Sequence, residues 1–125
     1  MFKDGEHIGK TSEIMSLLDY PAIICKLAGI NYNENNVSGR LPKIFGGQGR
    51  KWVLTESLHP NDYYRAALVN KNYRFYFCNP DEVGYDGRFK LVEYITCLTD
   101  KDGKSVNVPD VQKECTNIVL EHIYV

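Results

Sequence analysis

The sequence predicts an α+β fold: an antiparallel sheet of about four to five strands, two short helices before it and an amphipathic helix after it. Apolar residues recur at helical spacing near both ends of the chain, alternate with period two between them, and are separated by turn residues. With 125 residues the chain has the length of one domain, residues 1–125, and can bury a core without disulfides or metals. The hydrophobic content of 43% and charged content of 25% exclude collagen-like and fully disordered chains.

Two short helices are predicted before the sheet. Thr11 or Ser12 caps the first, which runs through Asp19, because a side-chain hydroxyl accepts from the free N–H groups of a first turn. Asp19 then caps the second helix. Pro21 suits its first turn, and Gly29 is placed to end it.

The apolar pattern disappears between residues 31 and 50, where nine of twenty residues are asparagine, glycine or proline. Connections of this length are uncommon inside small domains and usually carry a function or are disordered. This segment is therefore a candidate binding loop.

Three segments after the loop have the composition or the alternation of β-strands: 51–56, 73–78 and 89–99. A tight turn at 100–103 contains the Asp-Gly pair that tolerates positive φ, and it leads to a short strand at 105–108. Together these segments predict an antiparallel meander.

Residues 62–69 fit either a helix or a strand. Asn61 can cap a helix, and Ala66 and Ala67 favour one, whereas Tyr64, Ala66 and Leu68 also alternate as in a strand. We predict a helix here.

The last segment has the clearest helical periodicity, with Pro109 near its start. It predicts an amphipathic helix that covers one face of the sheet. The positions on its apolar side are Val111, Cys115, Ile118, Val119 and His122, and we expect His122 to be a buried core residue.

The net charge is only −1, but charges are segregated along the chain. Residues 38–74 hold seven basic and two acidic side chains, whereas residues 75–125 hold five basic and nine acidic ones. This distribution predicts two surface patches of opposite sign.

The basic loop 38–52 is one candidate site, for phosphate or nucleic acid. Its glycines would let backbone N–H groups approach an anion, and a tryptophan ring can stack on a base. It matches neither a Walker A loop nor a Rossmann fingerprint, and the alternative is a solvated loop whose tryptophan packs in the core. The candidate anion-binding residues are Arg40, Lys43, Arg50, Lys51 and Trp52.

A winged-helix arrangement would use residues 37–44 as a recognition helix. Pro42 disfavours it, because a proline inside a helix costs about 3 kcal/mol.

The acidic, tyrosine-rich part of the C-terminal half is the second candidate site. Tyrosines are favoured at protein interfaces, and carboxylates steer a basic partner. We expect a non-catalytic protein of the inhibitor or immunity type, which neutralises a toxin or host enzyme; nucleic-acid binding by the basic loop is the alternative. The candidate partner-binding residues are Tyr76, Asp81, Glu82, Tyr85 and Asp86.

A small hydrolase or nuclease is the third hypothesis. Glu93 lies on the apolar side of a predicted strand, where a half-buried carboxylate would have a raised pKa, and His59 could act as a general base. The segments Pro80-Asp81 and Glu93-Tyr94-Ile95 do not complete a metal-dependent nuclease site, because Ile95 stands where such a site needs lysine. We expect neither a metal nor another cofactor.

The four cysteines, Cys25, Cys78, Cys97 and Cys115, lack the spacing of a zinc site. We predict buried free thiols, with a disulfide between Cys78 and Cys97 as the alternative.

No apolar run approaches the roughly 18 residues that span a bilayer. The first residues do not resemble a signal peptide, so we expect no membrane association and a cytoplasmic location.

Overall fold

The computed structural model describes residues 11–31, 39–59, 62–82 and 93–123, and the backbone of residues 2–3 and 6–7. The chain divides into two compact units, residues 1–51 and 52–125.

The first unit consists of short elements. Strands β1 (Phe2–Lys3) and β2 (Glu6–His7) pair antiparallel. Its helical elements in the described ranges are a 3-10 turn (Leu17–Asp19), helix α1 (Tyr20–Ala28) and another 3-10 turn (Lys43–Phe45).

The first predicted helix is wrong, because residues 11–16 are not helical and the three residues Leu17–Asp19 form a 3-10 turn rather than an α-helix. Ser16 caps that turn in place of the two upstream hydroxyls. Its Oγ accepts the Leu18 N–H at 3.2 Å, and its own N–H donates to Asp19 Oδ2 at 2.8 Å. This reciprocal pair fixes the chain in a tight turn just before α1.

The second predicted helix is confirmed as α1. Pro21 lies in its first turn, and Gly29 ends it with φ of 70°, a conformation that glycine adopts without steric cost. The cap differs from the prediction, since Asp19 makes no side-chain capping bond to α1.

The second unit is built on a four-stranded antiparallel sheet with the strand order β3-β4-β5-β6. The strands are β3 (Val53–Ser57), β4 (Tyr63–Val69), β5 (Tyr73–Glu82) and β6 (Ile95–Asp100). Helix α2 (Pro109–Ile123) follows them, as the periodicity predicts. The α+β class and the antiparallel sheet are thus confirmed.

The helix predicted at residues 62–69 is wrong, because this segment is strand β4, paired on both sides. Tyr64, Ala66 and Leu68 are all buried on one face of the sheet. A helix would turn Ala66 away from the other two, so the alternation decides the structure and the alanine-rich composition does not.

The other strand predictions need adjustment at their ends. β5 extends beyond the predicted 73–78, while β6 begins at Ile95, and residues 89–92 lie outside the described part of the chain. The turn with Gly103 at φ 85° is confirmed. The strand predicted at 105–108 is reduced to one bridge, from Ser105 to Thr99.

The core of the second unit lies between α2 and one face of the sheet, the inner face. Phe77 packs edge-to-face against Tyr64, with ring centroids 6.2 Å apart, and stacks on Tyr94 at 5.1 Å. The most buried apolar side chains of this core are Tyr64, Leu68, Phe75, Phe77, Leu98, Cys115 and Val119. No helix in the described ranges is long and apolar enough to span a bilayer.

Candidate functional site

The face of the sheet opposite α2, the outer face, carries an open groove of about 330 Å³ across its four strands. The side chains that alternate with the core residues point to this face. Two large apolar side chains flank the groove, Tyr76 with 49% of its surface exposed and Ile95 with 64%. The outer-face residues that line it are Thr55, Ser57, Arg65, Ala67, Tyr76, Cys78, Ile95 and Cys97.

Strand register brings these residues together. Tyr76 lies opposite Ala67 on β4 and Cys97 on β6, and Cys78 lies opposite Arg65 and Ile95. Because residues between Tyr76 and Ile95 are small, the middle of the face is recessed, and the two large side chains stand above it.

One ion pair lies at the edge of this surface. Arg65 Nη2 is 3.2 Å from Asp62 Oδ1, and both side chains are about half exposed, so the pair contributes little to stability.

Of the five candidate partner-binding residues, the structure places Tyr76 on the outer face. Asp81 and Glu82 form the end of β5, where Glu82 pairs with Tyr63, but the directions of their side chains lie outside the description. Tyr85 and Asp86 also lie outside the described residues.

The basic loop in the first unit has a different organisation from the predicted anion site. Arg50 Nε donates to both carboxylate oxygens of Asp19 at 2.8 Å, and Arg50 Nη2 lies 2.6 Å from Asp19 Oδ1. The Asp19 side chain is 1% exposed. The Arg50 guanidinium therefore binds the carboxylate of Asp19, a residue of the chain itself.

Burial alone would raise the pKa of the Asp19 carboxyl. Hydrogen bonds from the Arg50 side chain and from the backbone N–H groups of Arg40 and Ser16 outweigh that effect and hold the pKa below its usual value.

The backbone donors of the loop also bind carboxylates of the chain itself. The Arg40 N–H donates to Asp19 Oδ1 at 2.7 Å, and the Lys43 N–H donates to Glu13 Oε1 at 2.8 Å. These loop donors thus bind the carboxylates of Asp19 and Glu13, and binding of an external phosphate or nucleic acid stays a prediction. The side chains of Arg40, Lys43 and Lys51 are exposed.

The predicted stacking role of Trp52 is contradicted by its burial. Trp52 is 8% exposed within the core of the second unit, and its Nε1 donates to Glu114 Oε1 at 3.4 Å. Its ring is unavailable to a nucleic-acid base.

The candidate catalytic pair does not form a site in the groove. Glu93 is exposed and precedes β6, so the predicted half-buried carboxylate is wrong, and His59 is exposed after β3. Neither residue lines the outer-face groove.

A cluster that the sequence analysis missed joins β3, β4 and α2. Glu56 Oε2 accepts from buried Tyr64 Oη at 2.9 Å and lies 3.0 Å from His122 Nε2. Burial, with the hydrogen bond and negative charge of Glu56, raises the pKa of Tyr64 above its usual value. His122 is exposed, in contrast to the predicted core position. It lies near the end of α2, where its ring contacts the carboxylate of Glu56.

All four cysteines are free, but only Cys115 is fully buried and Cys97 is exposed, which corrects the prediction of four buried thiols. In the described ranges, no group of three or more histidine, cysteine or acidic side chains is arranged to hold a metal ion.

Comparison with protein-family models, curated proteins and solved structures finds no match for this chain.

Proposed function

We propose that this chain is a non-catalytic protein-binding module of the inhibitor or immunity type, which neutralises a toxin or host enzyme by binding it through the outer face of the sheet. One observation carries the proposal: the groove of about 330 Å³ between two exposed apolar side chains, Tyr76 and Ile95. Contiguous exposed apolar surface of this kind is typical of interaction sites.

The shape of the surface suits a protein partner. Strands hold the backbone under Tyr76, Cys97 and Ala67 in fixed register, so the groove is formed before binding. A side chain of the partner can enter the recess while Tyr76 and Ile95 pack around it, which is how a few central residues supply most of the affinity in many interfaces.

The charge near the groove supports a basic partner. Asp81 and Glu82 continue β5 beyond the groove, whereas the charge of Asp62 beside β4 is paired with Arg65. Negative charge at the rim of an interface raises the rate of association with a basic protein more than it raises the affinity.

Affinity capture with matched variants tests the proposal. We expect wild-type protein to retain a basic partner from the source cell, and Ile95→Lys to weaken that binding at least tenfold, since the central residues of an interface contribute about 2 kcal/mol or more. The control is Leu17→Lys, which places the same charge on a leucine that is 81% exposed in the first unit. A partner retained equally by Ile95→Lys would contradict the proposal.

Association kinetics test the role of charge separately. With the captured partner in hand, Asp81→Lys combined with Glu82→Lys should slow association several-fold at low salt and leave dissociation nearly unchanged. An unchanged association rate would remove the acidic end of β5 from the interface.

Titration of labelled oligonucleotides at two salt concentrations distinguishes the nucleic-acid hypothesis. Binding through phosphates weakens steeply with salt, and each phosphate contact that Lys43→Ala or Lys51→Ala removes lowers that slope by about 1. Arg50→Ala is unsuitable here, because it also removes the partner of Asp19.

A further inference from the structure

Two thiols face the same groove from adjacent strands. Cys78 on β5 lies opposite Ile95, and Cys97 on β6 lies opposite Tyr76. Both cysteines line the groove, on the outer face, and both are free. Cys97 is exposed and Cys78 is half-buried, so an ion or small reagent can reach the pair from solvent.

The register makes the two cysteines diagonal neighbours. Diagonal residues on antiparallel strands have Cα atoms about 7–8 Å apart, whereas a disulfide requires a Cα separation below about 7 Å. Direct S–S bonding would therefore require the paired strands to move. A metal ion between the two sulfurs can bridge the longer distance without movement of the strands, since each metal–thiolate bond is about 2.3 Å long in protein zinc sites.

We propose that Cys78 and Cys97 form a two-coordinate site for a monovalent copper ion, a function beyond the protein binding proposed above, in the same groove. Thiolates are soft ligands that select Cu(I), and this ion accepts two thiolates in a nearly linear arrangement. Two copper–sulfur bonds form, the two thiol protons leave to solvent, and copper remains monovalent, so no oxidant or reductant takes part.

The surroundings suit such a complex. A Cu(I) ion with two thiolates carries one net negative charge, and Arg65 lies directly opposite Cys78 in the strand register. Its guanidinium also pairs with Asp62, which offsets part of this attraction. Ala67, Ile95 and Tyr76 supply an apolar lining around the two sulfurs.

The test is an anaerobic titration of the reduced full chain with Cu(I) in competition with a chromophoric chelator. Wild type should bind one Cu(I) per chain and develop an ultraviolet thiolate-to-copper charge-transfer band. Cys78→Ser and Cys97→Ser should each lower the affinity at least tenfold. The control is Cys25→Ser, which removes a half-buried thiol in the first unit and should leave the affinity unchanged.

Two results would overturn the site. One is an affinity that falls with Cys25→Ser and not with Cys97→Ser, for variants whose circular dichroism matches wild type. The other is wild-type protein that competes for no Cu(I) with the chelator and develops no charge-transfer band.

Discussion

Asp19 and Arg50, 31 positions apart in the sequence, form a three-contact ion pair in which the carboxylate is 1% exposed. The same carboxylate accepts from the backbone of Ser16 and Arg40. One buried side chain thus joins the turn before α1 to both ends of the 39–50 segment.

Arg50→Ala should destabilise the first unit by about 3 kcal/mol, because it leaves a buried charge without its counter-ion. The Arg40 amide proton reports this locally, and its hydrogen exchange should become about a hundredfold faster. Lys43→Ala, an exposed position, is the control. Exchange that accelerates equally in both variants would contradict this role of the ion pair.

The Asp19–Arg50 ion pair should also make the stability of the first unit depend on pH in the acidic range. The pKa of Asp19 in the folded protein lies below the usual 3.8. The charged carboxylate therefore stabilises the first unit fully at pH values above 3.8, and this stabilisation is lost as the pH falls through the folded-state pKa. Carbon NMR of the Asp19 carboxyl should show a midpoint below 3.8 in wild type and a higher one in Arg50→Ala. A wild-type midpoint at or above 3.8 would refute the predicted direction.

Gly39→Ala should destabilise the first unit by about 1–3 kcal/mol through overpacking. A Cβ at position 39 would collide with the backbone carbonyl of Leu18, so residues 39–40 would have to move away from Asp19. The Arg40 amide should lose protection, whereas the exposed Gln48→Ala should change little. Unchanged protection in Gly39→Ala would indicate that this close approach is absent.

Tyr64→Phe should make the second unit less sensitive to alkali. A free tyrosine ionises near pH 10, but folded Tyr64 keeps its proton to higher pH, so unfolding becomes more favourable as the pH rises above about 10. Urea unfolding followed by the fluorescence of buried Trp52 at pH 8 and pH 11 measures this. The variant should lose less stability between the two values than wild type does, and an equal loss would count against the raised pKa.

Glu56→Leu should cost about 1–3 kcal/mol, because it removes the carboxylate that accepts a hydrogen bond from the buried Tyr64 hydroxyl. Glu56→Gln keeps a carbonyl oxygen for this hydroxyl and is the matched control. Urea unfolding at pH 7 measures both, and equal stabilities would show that this hydrogen bond contributes little.

The sequence predicted the elements whose periodicity comes from burial on one face. α2 follows from the spacing of Cys115 and Val119, whereas α1 was predicted chiefly from Pro21 and Gly29 at its two ends. The segment 62–69 was mispredicted because its alanine composition was given more weight than the alternation of Tyr64, Ala66 and Leu68, the three residues that the paired strand buries on one face.

The candidate sites were harder to predict, since arginine next to glycine has the same sequence pattern whether it binds phosphate or a distant carboxylate. Arg50 has its partner 31 residues away, and no local pattern identifies Asp19 as that partner. The outer-face groove depends on the register between β5 and β6, which alternation within each strand does not determine.

The carboxylate of Asp19 has a consequence for how the first unit forms. Its bonds to Arg40 and Arg50 close chain loops of 21 and 31 residues, so these two bonds stabilise the fold only after the entropic cost of closing the loops has been met. Neither the turn at Ser16 nor the 39–50 segment gains this stabilisation alone. We expect the two segments to order in one cooperative kinetic step, with the amides of Arg40 and Leu18 becoming protected at the same rate during refolding.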